Sequence, residues 1–280
     1  MSIARLLAIA AVTVAAPLAA KAGTFTTLYT FTGSTDGGGP RGQLVYRNGS
    51  LYGVTSAGFN NDEYGNVFAV DIKTGKLTEI YEFTGGTNGS NPNDLISHGG
   101  MFYGTTFQGG NGCNGGCGTV FSLNSKTGKQ TVLYSFPDPG NGNQPFPGGL
   151  IYEGGMLYGV APYSGNNGNG TIFAINPITG TETTLFNFNG TDGQTPNPSL
   201  VFTNGLLYGT TLQGGANSCT LHNNPVGCGV VFGIDPSTDA ESIIYSFTEG
   251  ADGFLPYSTL IYGKGLLYGA TLVGGDMSCH

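Results

Sequence analysis

The chain has 280 residues, 39% of them hydrophobic and only 9% charged, with 51 glycines and no tryptophan. Glycine this dense without a three-residue period excludes collagen, and its placement between short apolar runs reads as turns rather than as flexible coil. The formal net charge of −8 leaves no basic patch to neutralise phosphates or anionic lipid, which excludes nucleic acid and membrane surfaces as partners.

Residues 1–22 read as a signal peptide. Arg5 supplies a positive start, residues 6–18 are almost wholly apolar, and Ala20-Lys21-Ala22 precedes Gly23 as a small-residue cleavage site. The apolar run is shorter than the roughly 20 residues a membrane span needs. No cysteine follows the cleavage point, which argues against a lipoprotein. With Arg5 and Lys21 removed, the net charge of the mature chain falls to about −10. Residues 23–280 are expected to form one soluble repeat domain without membrane insertion.

The mature chain opens on Thr26-Thr27-Leu28-Tyr29-Thr30-Phe31, an alternating segment. A unit then begins that recurs five times. It starts with an [Asp/Asn]-Gly-x-x-Pro loop, at Asp36, Asn88, Asn141, Asp192 and Asp252. A short apolar run follows, then a tight turn (Asn48-Gly49 in the first copy, Asn204-Gly205 in the fourth), and then Tyr-Gly at Tyr52, Tyr103, Tyr158, Tyr208 and Tyr268. The glycines of these pairs are 51, 55, 50 and 60 residues apart.

After a glycine-rich loop comes a third run, Val67-Phe68, Val120-Phe121, Ile172-Phe173 and Val231-Phe232. Three copies continue with Thr-Gly, and the fourth has Thr238-Asp239. The unit ends in an alternating run such as Ile80-Tyr81-Glu82-Phe83, which residues 26–31 match. Period-two alternation between turn signals marks half-buried strands, and Asn-Gly between apolar runs marks a hairpin.

Each unit is thus four short antiparallel strands, and such units repeated around an axis make a β-propeller. A β-solenoid has much shorter repeats. The expected fold is all-β, a propeller of about five four-stranded blades in units of about 50–60 residues. The last blade is incomplete and closed by the N-terminal strand. Because the fifth copy stops after its second strand, a truncated chain or a longer array of six to eight blades is also expected.

The run Leu207-Tyr208-Gly209-Thr210-Thr211-Leu212-Gln213-Gly214-Gly215, with Gly229-Val230-Val231-Phe232, resembles the GloVer (Gloeo-Verruco) tandem repeat of secreted bacterial proteins. The resemblance covers residues 24–280 and implies location outside a bacterial cell or on its surface, without implying an activity. The Gly-Gly pair is also similar to that of kelch-like blades.

Antiparallel order places the two tight turns of every unit on one face and the long loops on the other, and variable loops on a rigid scaffold are where binding concentrates. All five cysteines fall in those loops. Cys113 with Cys117 and Cys219 with Cys228 read as disulfides in an exported protein. Zinc is the weaker alternative, because Cys113-x-x-x-Cys117 has no matching second pair and no nearby histidine. Cys279 aligns with Cys219.

The candidate ligand-binding face comprises Asp36, Asn88, Asn141, Asp192 and Asp252, with Asp62 and Glu63 in the first long loop. These residues offer either oxygens for calcium or ordinary turn stabilisation. No cofactor is otherwise expected. The repeated aromatics read first as packing between blades and second as sugar-stacking platforms. The strand glycines are expected to let neighbouring backbones approach closely.

Catalysis finds no motif: His98, His222 and His280 share no context. The expected function is therefore a non-catalytic extracellular binding or scaffold module for glycan or protein. One alternative is a polysaccharide-active propeller hydrolase or lyase, which requires Asp62, Glu63, Asp138, Glu249 and Asp252 to converge. Another is a cell-surface assembly protein.

Overall fold

The computed structural model describes residues 25–33, 36–58, 64–113, 116–137, 148–165, 167–221 and 224–275. The leader lies outside them. The described residues form an all-β protein without an α-helix, and no helix among them is long and apolar enough to cross a membrane.

The first unit contains β1 (Gly38–Arg47), β2 (Ser50–Ala57), β3 (Asn66–Asp71) and β4 (Leu77–Glu82). The second contains β5 (Ser90–His98), β6 (Met101–Gln108), β7 (Thr119–Asn124) and β8 (Gln130–Ser135). The third contains β9 (Leu150–Glu153), β10 (Met156–Ala161), β11 (Thr171–Ile175) and β12 (Glu182–Asn187). In the fourth, the first strand is split into β13 (Gln194–Pro196) and β14 (Val201–Thr203), both paired with β15 (Leu206–Gln213).

The long loop of the fourth unit carries its own hairpin, β16 (Ser218–Leu221) with β17 (Asn224–Gly227), before β18 (Val230–Asp235) and β19 (Ala240–Ser246). Among the described residues the fifth unit shows first and second strands, in the ladders β20 (Phe254–Pro256) with β23 (Thr271–Val273) and β21 (Ile261–Gly263) with β22 (Leu266–Tyr268). Every pairing is antiparallel, and strands follow chain order across each of the four complete sheets.

Turn chemistry explains the hairpins. The turn between first and second strands has two consecutive left-handed residues in all five units: Asn48-Gly49, Gly99-Gly100, Gly154-Gly155, Asn204-Gly205 and Lys264-Gly265. That is the type I′ geometry whose twist matches the strands. Lys264, at φ 50°, reaches it without the side chain that eases it.

The turn between third and fourth strands is built on an Asx side chain. Asp71 Oδ1 accepts from the N–H groups of Lys73 and Thr74, Asn124 and Asn176 repeat the arrangement, and Asp235 accepts from Ser237. The left-handed position that closes it is Gly75, Gly128 and Gly180, and in the fourth unit Asp239 at φ 59°.

The core lies between sheets rather than within them. One cluster joins the first two units through Val54, Val67, Phe83, Leu95, Phe102, Phe121 and Leu123, and equivalent clusters join the second to the third and the third to the fourth. Its centre is an aromatic pair. The third-strand rings of Phe68, Phe121, Phe173 and Phe232 meet Phe31, Phe83, Phe136 and Phe188 of the preceding segment edge-on, at 5.0–5.2 Å between centroids. Such pairs add about 0.5–1.5 kcal/mol beyond burial.

The strand glycines serve this pair. A Cβ on Gly53, Gly104, Gly159 or Gly209 would lie 2.7, 2.6, 2.4 or 2.5 Å from the ring of Phe68, Phe121, Phe173 or Phe232. The phenyl group opposite in the same sheet approaches all four, as in the register Gly209↔Phe232, and at Gly104 the Asp94 carbonyl of the neighbouring strand comes closer still, 2.4 Å from the Cβ position.

Residues 25–32 form no strand, yet they occupy the place of a fourth strand ahead of β1. Leu28 O lies against Gly75 as Ile80 O lies against Gly128 and Leu133 O against Gly180. Phe31 caps Phe68 as Phe83 caps Phe121.

Candidate functional site

The residue before the first-strand leucine differs in every unit: Gln43, Asp94, Gly149, Ser199 and Thr259. These five line both of two cavities, of about 740 and 500 Å³, and so mark the axis around which the first strands gather. The smaller cavity is lined in addition by Ile96, Ile151, Val201 and Ile261. The larger opens toward the long loops and is a bowl of mixed chemistry.

Two glycines let the strands close on the axis. Asp94 Oδ1 accepts from the Gln43 N–H at 3.0 Å and the Leu95 N–H at 2.8 Å, which bridges the first two units. Its other oxygen lies 2.5 Å from where a Cβ on Gly149 would sit, and its Oδ1 lies 2.9 Å from the same point on Gly42. Burial pushes the Asp94 carboxyl above its ordinary value, outweighing the two N–H bonds.

Around it stand Asn93, Asn197 and Arg41, whose guanidinium carbon lies 5.5 Å from the Phe107 ring centroid. Asn197 Nδ2 donates to Thr210 Oγ1 and to the Pro256 carbonyl, tying the fourth unit to the fifth. Tyr163 and Tyr257 line the bowl while remaining 37% and 65% exposed.

The loops feeding the bowl are strained. The residue before the repeated proline is left-handed in each described unit: Gly39 at φ 62°, and Asn91, Thr195 and Leu255 at φ 53°. A residue before proline favours extended backbone, and a β-branched residue at positive φ is an outlier. The conformation is held by the preceding long loop. Asn91 N–H donates to Tyr64 O, Thr195 N–H to Asn169 O, and Leu255 N–H to Cys228 O. Strain of this kind concentrates at functional sites.

The candidate binding-face residues sit elsewhere, in the loops between units. Asp36 accepts from the Thr32 N–H, the Thr32 hydroxyl and the Tyr29 hydroxyl, and Asp252 repeats this with Thr248 and Tyr245. These bonds hold Asp36 at about 2, the Thr32 hydroxyl contributing most, and lower Asp252 likewise, the Thr248 hydroxyl first. Asp192 accepts from the Asn189 N–H, and Asn88 Nδ2 donates to Thr84 Oγ1.

Each of these four is engaged within its own loop, and none lines the bowl. Asn141, Asp62 and Glu63 lie outside the described residues, as do Asp138, His222, Cys279 and His280. Glu249 accepts from the Thr220 N–H on the fourth long loop. His98 stacks on Tyr152 at 3.7 Å between centroids, away from the bowl. No cluster of three or more metal-ligating side chains exists among the described residues.

Both cysteine pairs are disulfides, Cys113–Cys117 and Cys219–Cys228. The two loops share one anchor: a Cβ on Gly116 would strike the backbone of Gly109, and one on Gly227 that of Gly214. The second bridge packs on Phe254 and Leu255, so it supports the strained turn of the fifth unit.

Four-stranded antiparallel sheets around a shared axis define a β-propeller repeat protein. A laminin–nidogen complex, among solved structures, is similar at TM-score 0.51 and 15% identity over 83% of this chain and 71% of that one. A computationally designed protein, Ika8, gives 0.44 and 16% over 83% and 68%, and a manganese-bound oligogalacturonate lyase gives 0.41 and 12% over 71% and 50%. No curated protein sequence matches. The chain belongs to the Gloeobacter/Verrucomicrobia repeat family, whose model matches residues 16–222.

Sequence reasoning missed the bowl. The one available signal was the residue before each first-strand leucine, where the otherwise uniform text varies most in chemistry.

Proposed function

We propose that this propeller is a secreted, non-catalytic binding module of the bacterial exterior, and that its ligand is a neutral oligosaccharide seated in the axial bowl. The observation that carries the reading is the loss of repeat symmetry at the axis, where Gln43, Asp94, Ser199 and Thr259 form a polar floor beneath Phe107, Tyr163 and Tyr257. Aromatic faces, amides and hydroxyls in a concave site of about 740 Å³ suit a sugar. One carboxylate and one guanidinium leave the described lining without net charge, which disfavours a charged ligand. A single described carboxylate in the bowl also favours binding over the paired-carboxylate chemistry of glycoside hydrolysis.

In this reading the ring has five units, and residues 26–31 serve as the fourth strand of the fifth. The contacts of Leu28 and Phe31 with the first unit support that assignment. The two disulfides suit an oxidising compartment.

The test is the melting temperature of residues 23–280 against a panel of neutral oligosaccharides. At least one sugar raises it by several degrees, Tyr257→Ala and Asp94→Asn each remove that rise, and calcium gives none. Silence across the panel, or a rise that survives both substitutions, overturns the reading.

A further inference from the structure

All five units fence the bowl. Arg41, Phe107, Tyr163, Pro198 and Tyr257, one from each unit, line it together with the girdle of Gln43, Asp94, Gly149, Ser199 and Thr259. Neighbouring units are also tied to one another close to that girdle. The Gln43 N–H donates to Asp94 at 3.0 Å between the first and second, and the Thr105 hydroxyl to Gly148 O at 2.9 Å between the second and third. The Gly149 N–H donates to Pro198 O at 2.9 Å between the third and fourth, and the Asn197 amide to Pro256 O between the fourth and fifth. Four of the five junctions around the axis are therefore bridged.

Past the girdle the chemistry changes. Along each first strand the next residue on the same face is Val45, Ile96, Ile151, Val201 or Ile261, and the last four line the smaller cavity. Their side chains offer a sugar hydroxyl neither donor nor acceptor, and a polar group buried without a partner is disfavoured. The girdle itself offers the Gln43 amide and the Ser199 and Thr259 hydroxyls. It also offers the second carboxyl oxygen of Asp94, which any side chain in place of Gly149 would crowd. A hydroxylated ligand entering from the long-loop side thus meets its last polar side chains at the girdle.

We infer that the bowl reads the end of a glycan chain rather than its middle, with the terminal sugar on the girdle and the next sugar against the Tyr163 and Tyr257 rings. This rests on the reading of the bowl as a sugar site. A straight chain lying across the floor needs two opposed gaps in the wall, and four of the five junctions are bridged. A chain standing on its end needs only the open mouth. At about 740 Å³ the bowl lies in the range that encloses a small ligand, here about two to three sugar rings. Sugars further along the chain then lie outside it and add no contact.

The experiment measures, by calorimetry on residues 23–280, the affinity for neutral gluco-, manno-, xylo- and galacto-oligosaccharides from disaccharide to octasaccharide. In the series that binds, affinity levels off at about three sugars. The trisaccharide of that series is then blocked at one end or the other, by reduction of its reducing end or by O-methylation of the opposite terminal sugar. One blocked form binds about tenfold or more weakly, because a girdle group loses its partner, and the other binds as the parent does. Ser199→Tyr, which raises the floor, weakens the parent trisaccharide by a similar factor with unchanged circular dichroism. If that variant does not fold, the blocked forms decide alone. Affinity that keeps rising to the octasaccharide, both blocked forms binding as the parent does, or a folded Ser199→Tyr without effect overturns end recognition while leaving the bowl a sugar site. No binding by any series overturns the reading of the bowl, and end recognition with it.

Discussion

The fourth and fifth units carry nearly the same text, Leu-Leu-Tyr-Gly followed by Thr-Leu, and have opposite fates. Leu207 is fully buried and Gly209 lies under the Phe232 ring, whereas its counterpart Leu267 is only half-buried and Gly269 faces a cavity. Burial here belongs to the contact with the third and fourth strands, not to the strand that carries the residues. A repeat protein gains its stability from such nearest-neighbour contacts, so the repeat text alone does not say which copy is packed.

Removing the ring that distinguishes the two units is the strongest way to break the comparison. Phe232→Ala should cost about 3–5 kcal/mol by chemical denaturation, while Tyr268→Ala in the fifth unit should cost less than about 1 kcal/mol because that side chain is already 46% exposed. Crowding the ring is the next largest test. Gly209→Ala should cost about 1–3 kcal/mol, since its Cβ would lie 2.5 Å from Phe232. Gly269→Ala should fall within about 0.5 kcal/mol of the parent. Equal losses at both glycines would show that the fifth unit is packed like the fourth.

A smaller effect concerns the strained turns. Thr195→Asn installs the residue that the second unit carries at the same left-handed position, Asn91. It should stabilise the fourth unit by about 1 kcal/mol, read as a rise in Tm. Leu255→Asn should show less gain, because Leu255 is 2% exposed and its packing on the Cys219–Cys228 loop is lost.

The smallest effect is electrostatic and links the two ends of the described chain, where Tyr29-Thr32-Asp36 and Tyr245-Thr248-Asp252 form the same constellation. Both carboxyls are lowered in the folded state. Their contribution is therefore present above the unfolded value of about 3.9 and is lost as pH falls through the folded values, about 2 for Asp36. Thr32→Val should move the Asp36 carboxyl titration, followed by NMR, back toward ordinary and leave Asp252 in place. Asp94 has the opposite sign: its raised pKa means that stability falls as pH rises through the carboxylate range, and Asp94→Asn should remove that slope.

The strands, the hairpins and the sheet order were legible because each depends on a few adjacent residues. Asn48-Gly49 reports its own turn. The partner of Gly209 was not legible, because Phe232 is brought to it by a ladder spanning a loop of variable length. The candidate loop aspartates stood out for their regularity, and Asp36, Asp192 and Asp252 each accept hydrogen bonds within their own loops. The bowl was hidden for the converse reason: Gln43, Asp94, Gly149, Ser199 and Thr259 share a position but no chemistry, so a search for repetition passes over them.

The paired disulfide loops show how the ring tolerates change. Cys113 and Cys117 are four residues apart, Cys219 and Cys228 nine, yet both loops return through a glycine seated against the first glycine of the Gly-Gly pair. The closing strands resume in the same register, Thr106↔Thr119 and Thr211↔Val230. The cystine and its glycine seat work as a socket, and foreign sequence inserted between Leu221 and Asn224, with Val226 and Gly227 kept, would be displayed on the ring without passing its strain to the blades below.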